Sequence, residues 1–178
     1  ANLLIAISDF VAGEIKSRIG TGPETVITAL NGIDQRFTHS ITDMMDNAAL
    51  LKRLGISKPF VLNTSPLEYR KNLEGLITAF SSMSPQIRNA YQLVIGGKIS
   101  AEGYAYLRKL AQANGLAPDT LVRTGFIPDE DLLALYAACS LFAYPAWSEG
   151  FGLPPLEAMA CGAPVLCANT TSLPEVVG

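Results

Sequence analysis

From residue 59 onward, short β-branched or aromatic runs alternate with amphipathic stretches, the pattern of βαβ units around a mostly parallel sheet. The strands predicted are Phe60 to Asn63, Tyr91 to Ile95, Leu121 to Thr124, Leu141 to Tyr144 and Val165 to Cys167. Between them, Leu73, Leu76, Ile77 and Phe80 fall at i, i+3, i+4 and i+7, and Leu132, Leu135, Tyr136 and Cys139 repeat that spacing, so both stretches are helices with one buried face. A third helix, about Ala101 to Asn114, is closed by Gly115, a residue suited to the left-handed turn beyond a helix end. The expected fold is α/β and Rossmann-like, a mostly parallel sheet with helices on both faces.

The first part of the chain is organised differently. A strand at Leu3 to Ile7 leads through Ser8, a candidate N-cap, into a helix over Asp9 to Ile19, and a second strand follows at Val26 to Leu30. The chain turns at Asn31-Gly32, residues 31 to 42 read as a connector, and Met44 to Leu54 reads as a helix closed by Gly55. The organisation expected is therefore a strand-helix-strand unit with connector over 1–42 and a Rossmann-like domain over 43–178.

Composition narrows the function. Net charge is −3 with pI near 5.1, and no Lys and Arg run interleaves with aromatics, which removes the electrostatic footprint of a nucleic-acid binder. Charged residues make up 16%, under the roughly 25% usual for globular domains, so part of the apolar surface is expected to be covered by something outside this chain. The longest apolar stretch, Leu132 to Trp147, holds Ser140 and Pro145 and falls short of the ~20 residues of a spanning helix, and no signal-peptide layout precedes Leu3. Cys139, Cys161 and Cys167 form no C-x-x-C and sit in apolar settings, which fits free thiols and a cytoplasmic location. Two glycosylation sequons, at Asn63 and Asn169, carry no weight without secretion.

In a parallel α/β sheet, ligands bind beyond the carboxyl ends of the strands, where loops enter helices. The most informative such loop is Ser148-Glu149-Gly150-Phe151-Gly152-Leu153-Pro154-Pro155-Leu156-Glu157. Gly150 and Gly152 permit a tight turn and close approach of a ligand, and Pro154 and Pro155 suit a first helical turn. The amides of Phe151, Gly152 and Leu153 are then available to an anion such as phosphate. Glu149 in the loop and Glu157 a turn inside the helix can face one ligand, whose diol or sugar hydroxyls a carboxylate would accept. An equally good local reading has Glu157 complementing the helix dipole and Glu149 solvated.

Three further clusters need a reading. In Glu68-Tyr69-Arg70-Lys71-Asn72, at the start of the next helix, Arg70 and Lys71 could neutralise a diphosphate, and cations at a helix N-terminus are unfavourable unless an anion compensates. The Arg123 to Pro128 segment is a strand end whose backbone could contact a base. His39 reads as a surface residue of the connector, and Gly96-Gly97-Lys98 completes neither a dinucleotide fingerprint nor a Walker loop, which disfavours nicotinamide cofactors and ATP hydrolysis.

Taken together, these residues resemble the C-terminal half of a GT-B glycosyltransferase of the retaining family four, the glycosyl transferases group one. The resemblance rests on Glu149 to Glu157 as an E-x7-E pattern, on Glu157-Ala158-Met159-Ala160-Cys161-Gly162-Ala163-Pro164-Val165, and on Leu173-Pro174-Glu175-Val176-Val177. Ser8-Asp9-Phe10, Asn31-Gly32-Ile33-Asp34 and Arg70-Lys71-Asn72 support it, and the match covers nearly the whole chain. It implies that Glu149 contacts the donor sugar near the reacting carbon, Glu157 binds ribose, and the Phe151, Gly152 and Leu153 amides hold donor phosphate or sugar. Lys71, with Arg70, would stabilise the departing nucleoside diphosphate, and the backbone near Ile127 would meet the base.

No metal and no cofactor is implied, the donor being a GDP- or UDP-linked hexose, with mannose the candidate sugar. Retention is expected by front-face attack, with Glu149 not required as a covalent nucleophile. Two departures stand out. Ser65-Pro66 occupies the place where many relatives carry Gly-Arg, removing one phosphate cation. The family's acceptor-binding N-terminal domain and its usual final elements are not in the chain, so the isolated piece is expected to be inactive. The competing readings are a non-catalytic interaction module of the same fold and a sugar-nucleotide epimerase.

Overall fold

The computed structural model describes residues 3–20, 22, 25–37 and 47–178. In chain order the elements are β1 (Leu4–Ala6), α1 (Asp9–Ile19), β2 (Val26–Thr28), a 3-10 turn at Gln35–Phe37, α2 (Asn47–Arg53), β3 (Phe60–Asn63) and a 3-10 turn at Tyr69–Lys71. There follow α3 (Leu73–Ser81), α4 (Pro85–Ala90), β4 (Gln92–Gly96), α5 (Ala101–Ala113), β5 (Leu121–Gly125) and α6 (Asp129–Ala138). Last come β6 (Leu141–Tyr144), α7 (Leu153–Ala160), β7 (Val165–Cys167) and α8 (Leu173–Val177).

Strand side chains alternate faces, and the core divides accordingly. Phe60 and Leu62 of β3, Val94 of β4, and Phe142 and Tyr144 of β6 enter one apolar cluster with Leu135, Tyr136 and Ala158 of α6 and α7. Val61, Leu93, Ile95 and Ala143 point the other way, onto Leu73, Leu76, Ile77 and Phe80 of α3 and Leu107 of α5. Helices therefore cover both faces, and burial on both explains why the central strands β3, β4 and β6 read as continuous apolar runs. The five strands are parallel in the order β5-β4-β3-β6-β7, while β1 and β2 form a separate parallel pair backed by Ala12 of α1.

The chain leaves β3 toward β4 on one side and returns to β6 on the other, so the sheet reverses direction between β3 and β6. The crevice beyond their carboxyl ends is where an open α/β sheet receives a ligand.

Several elements differ from expectation. The first two strands are shorter at both the Leu3 and Leu30 ends, and β4 runs to Gly96 without Tyr91. The helix expected over Met44 to Leu54 is described as α2, residues 44–46 lying outside the described residues, as do His39 and the proposed boundary between 42 and 43. The connector is docked where it is described: Phe37 is buried against the core, and its carbonyl accepts the Cys161 thiol. α4 was not expected, because it buries no residue and so leaves no apolar period; Pro85 in its first turn is its sequence signal. Asn63 is fully buried, donating to the Ala143 carbonyl at 2.8 Å and accepting from the Ser65 amide at 2.8 Å, which makes it a brace between strands rather than a glycosylation acceptor.

Candidate functional site

The loops after β3 and β6 are joined backbone to backbone. The Trp147 amide donates to the Arg70 carbonyl at 2.8 Å, and Asn72 Nδ2 donates to the Pro145 carbonyl at 3.1 Å. Asn72 adopts φ 54°, a left-handed conformation its short polar side chain tolerates, and its Oδ1 accepts from the Gly75 amide to cap α3. Arg70 and Lys71 therefore stand ahead of α3, on a 3-10 turn, and the helix-dipole argument for them does not apply.

What holds these cations is Glu149. Lys71 Nζ contacts Glu149 Oε1 directly and donates to the Tyr144 hydroxyl at 2.7 Å; Tyr144 in turn donates to Glu149 Oε1 at 2.9 Å. Arg70 Nη1 reaches the same oxygen at 3.2 Å while its Nε pairs with Glu68 Oε2 at 2.9 Å. The Lys71 and Glu149 side chains are only 8% and 10% exposed, so each charge depends on the other for compensation. Burial, and next the charge of Glu149, push the Tyr144 phenol well above its ordinary value, so it remains a protonated donor.

The turn that follows is tied down by two serines. Ser172 Oγ lies 2.9 Å from both the Glu149 and Phe151 carbonyls and shares its proton between them, and Ser8 Oγ donates to the Gly150 carbonyl at 2.8 Å. In a trans peptide the N–H points opposite to the C=O of the preceding residue, so the Gly150 and Gly152 amides point away from Ser172 and that of Phe151 away from Ser8. The Phe151 side chain is buried, leaving its backbone for a ligand. Gly152 has φ 113°, and a Cβ there would stand 2.7 Å from Leu173 Cδ2, so only glycine fits. Pro154 and Pro155 carry no amide hydrogen, which leaves Leu153 as the one donor among the first three residues of α7.

Glu157 hangs from a different tyrosine. Its Oε2 accepts from the Tyr136 hydroxyl at 3.1 Å, and Tyr136 lies 3.4 Å from Thr64 Oγ1 just beyond β3. Burial raises the Glu157 carboxyl above its ordinary value, Tyr136 opposes the rise, and the more distant Asp129 and Arg36 act in opposite senses. The rings of Tyr136, Phe142 and Tyr144 form a ladder with centroids 5.3 and 5.9 Å apart. Both acids thus hang from one rigid aromatic row at the carboxyl end of β3 and β6.

Ile127 lies in the loop after β5, two strands from β3 along this edge, its Cδ1 against Gly96. The expected residues Glu149, Lys71 and Arg70 are brought together in direct contact, and Glu157 joins them through the ladder. Tyr144, Tyr136, Ser172 and Ser8 were missed. The signal available was polar-tipped aromatic residues at core positions, next to loops already suspected.

Among proteins of known sequence, the family model for glycosyl transferases group 1 matches residues 46–178. The chain belongs to that family. It is 36% identical over its full length to the serotype-specific mannosyltransferase WbdA of Escherichia coli, covering 22% of that protein, and 34% identical to the O-antigen chain mannosyltransferase B of the same species, covering 46% of it. It spans less than half the length of either. The crystal structure of Anabaena HepE in complex with UDP and glucose superposes with TM-score 0.81 at 27% identity over the whole chain and 47% of that protein, which identifies the fold as that of GT-B glycosyltransferases. Among the described residues, no helix is long and apolar enough to cross a membrane.

Proposed function

We propose that this chain is the donor-binding part of a retaining glycosyltransferase that moves a hexose, with mannose favoured, from a nucleoside diphosphate to an acceptor held elsewhere in the protein. The observation that carries this reading is the convergence of Lys71, Arg70 and Tyr144 on one oxygen of Glu149, at the end of a turn whose amides face away from their serine anchors. The mannosyltransferase relatives support the sugar, and the UDP and glucose held by HepE support a nucleotide-sugar ligand.

In this reading the amides of Phe151, Gly152 and Leu153 hold the donor's phosphate or sugar. Glu157 accepts from the ribose hydroxyls, and the backbone at Ile127 meets the base. As the glycosidic bond to the diphosphate breaks, negative charge accumulates on the leaving oxygen. Lys71 and Arg70 lie where they can stabilise it, and a buried ammonium does so more strongly than a solvated one. Glu149 stands beside the sugar carbon while the acceptor hydroxyl attacks from the same face: its oxygen bonds to that carbon as the bond to the diphosphate breaks, its proton passes to the departing diphosphate oxygen, and configuration is retained. The chain's own cations and amides offset the departing charge in place of a metal or cofactor. The division near residue 42, an acceptor site outside this chain and a cytoplasmic location complete the proposal.

In a full-length protein carrying this chain, Glu149→Ala is expected to abolish transfer while circular dichroism stays native. Unchanged transfer would instead favour a non-catalytic module, and turnover of the nucleotide sugar without acceptor would favour an epimerase.

A further inference from the structure

The loops after β4 and β5 are bound into one surface. The Gly97 amide donates to the Gly125 carbonyl at 2.9 Å, and Arg123 Nη1 donates to the Ile99 carbonyl at 3.2 Å. Ile127 fills the space where a side chain on Gly96 would stand, a Cβ there meeting Ile127 Cδ1 at 2.6 Å. With Ile127 turned onto the sheet, its neighbour Phe126 is turned outward and is 68% exposed. Lys98 Nζ lies 5.2 Å from the centroid of that ring. Phe126 is absent from the core clusters, and nothing in the fold requires an aromatic ring at that place.

All five strands of this sheet are parallel, so these loops share an edge with Lys71 and Glu149. β5 lies two strand spacings from β3, about 10 Å, a separation of the order that divides the base of a nucleotide from its diphosphate.

Resting on the donor-site reading above, we propose that Phe126 and Lys98 form a base-reading pair. The ring supplies a stacking surface, and the ammonium donates to a carbonyl oxygen on the base. An ammonium has three donors and no acceptor, so it suits the exocyclic O6 of guanine or O4 of uracil. The amino group that adenine carries at the corresponding place offers it no acceptor. The pair therefore selects oxo bases, and it does so from side chains, independently of the backbone contact at Ile127.

Calorimetric titration of the chain, Phe126→Ala and Lys98→Met with GDP, ADP and inorganic pyrophosphate tests this. Both side chains are exposed, so the variants are expected to melt with the wild type. Phe126→Ala is expected to weaken GDP and ADP alike by roughly tenfold, the loss of one stacked base. Lys98→Met is expected to weaken GDP by roughly tenfold and leave ADP unchanged, which removes the preference for GDP. Pyrophosphate binding should be the same in all three proteins. GDP binding indifferent to both substitutions, or pyrophosphate falling in step with GDP, would overturn the pair. An unaltered GDP-to-ADP ratio in Lys98→Met would remove Lys98 from it. A folded wild type that binds neither GDP nor pyrophosphate would instead overturn the donor-site reading itself.

Discussion

Lys71 is a charge buried at a cost in stability, compensated by Glu149 and Tyr144. Removing one partner of a buried pair leaves the other charge without compensation and costs about 3–5 kcal/mol, whereas replacing both by apolar side chains is often neutral. Glu149→Gln is therefore expected to lose several kcal/mol in urea denaturation, and Lys71→Met with Glu149→Leu to recover most of it; equal loss in both would show that the pair is not coupled. Glu157 makes a second prediction, through pH. Its carboxyl is raised by burial, so the folded state prefers it protonated: the associated stability is complete below the ordinary carboxylate value and is lost as pH rises through the raised one. Glu157→Gln, neutral throughout, should melt above the wild type at neutral pH and converge with it near pH 4. A constant difference across that range would contradict the assignment. These acids and cations were legible from the E-x7-E spacing of Glu149 and Glu157 and from the Arg70-Lys71-Asn72 run, the residues that carry the family resemblance, since the local pattern alone left a solvated reading equally open. The tyrosines that hold them were not, since Tyr136 and Tyr144 satisfy the apolar period of helix and strand and their hydroxyls leave no trace in it.

The elements that carry the site are set by a few backbone positions. Gly152→Ala would have to hold φ 113° and displace Leu173, so it is expected to cost about 1–3 kcal/mol by thermal denaturation and to lose pyrophosphate binding, because the turn and α8 share that contact. Asn72→Ala removes both the cap on α3 and the bond to the Pro145 carbonyl while keeping a strained φ, at roughly 1–2 kcal/mol, and Asn72→Gly should cost less because it relieves the strain. If Gly proves as costly as Ala, the side-chain bonds rather than the conformation decide that turn. Strands β3 and β6 stand where their apolar runs placed them, since burial on both faces leaves a continuous hydrophobic record, whereas edge strand β7, with Leu166 exposed, was legible from its apolar composition alone. α4 left none because it buries nothing, and the 3-10 turn of Arg70 and Lys71 read as helix because cations and polar residues leading into an apolar period look the same in both.

At the scale of the molecule, the order β5-β4-β3-β6-β7 puts the reversal of the sheet between the two loops that supply Lys71 and Glu149. The β1-α1-β2 unit is fastened to that place: the Asp9 and Phe10 amides donate to the two carboxylate oxygens of Glu175 at 2.7 and 2.8 Å, and Ser8 reaches the Gly150 carbonyl. The sequence showed each of these units but not their junction, because hydrogen bonds between residues more than a hundred apart leave no periodic mark. The central claim is that a nucleoside diphosphate lies across this junction, and a crystal structure of the chain with GDP measures it most directly. Predicted are diphosphate oxygens within hydrogen-bond distance of Lys71 or Arg70 and of the Phe151 to Leu153 amides, with the ribose hydroxyls on Glu157. A GDP bound with its diphosphate away from Lys71 and its ribose away from Glu157 would contradict it.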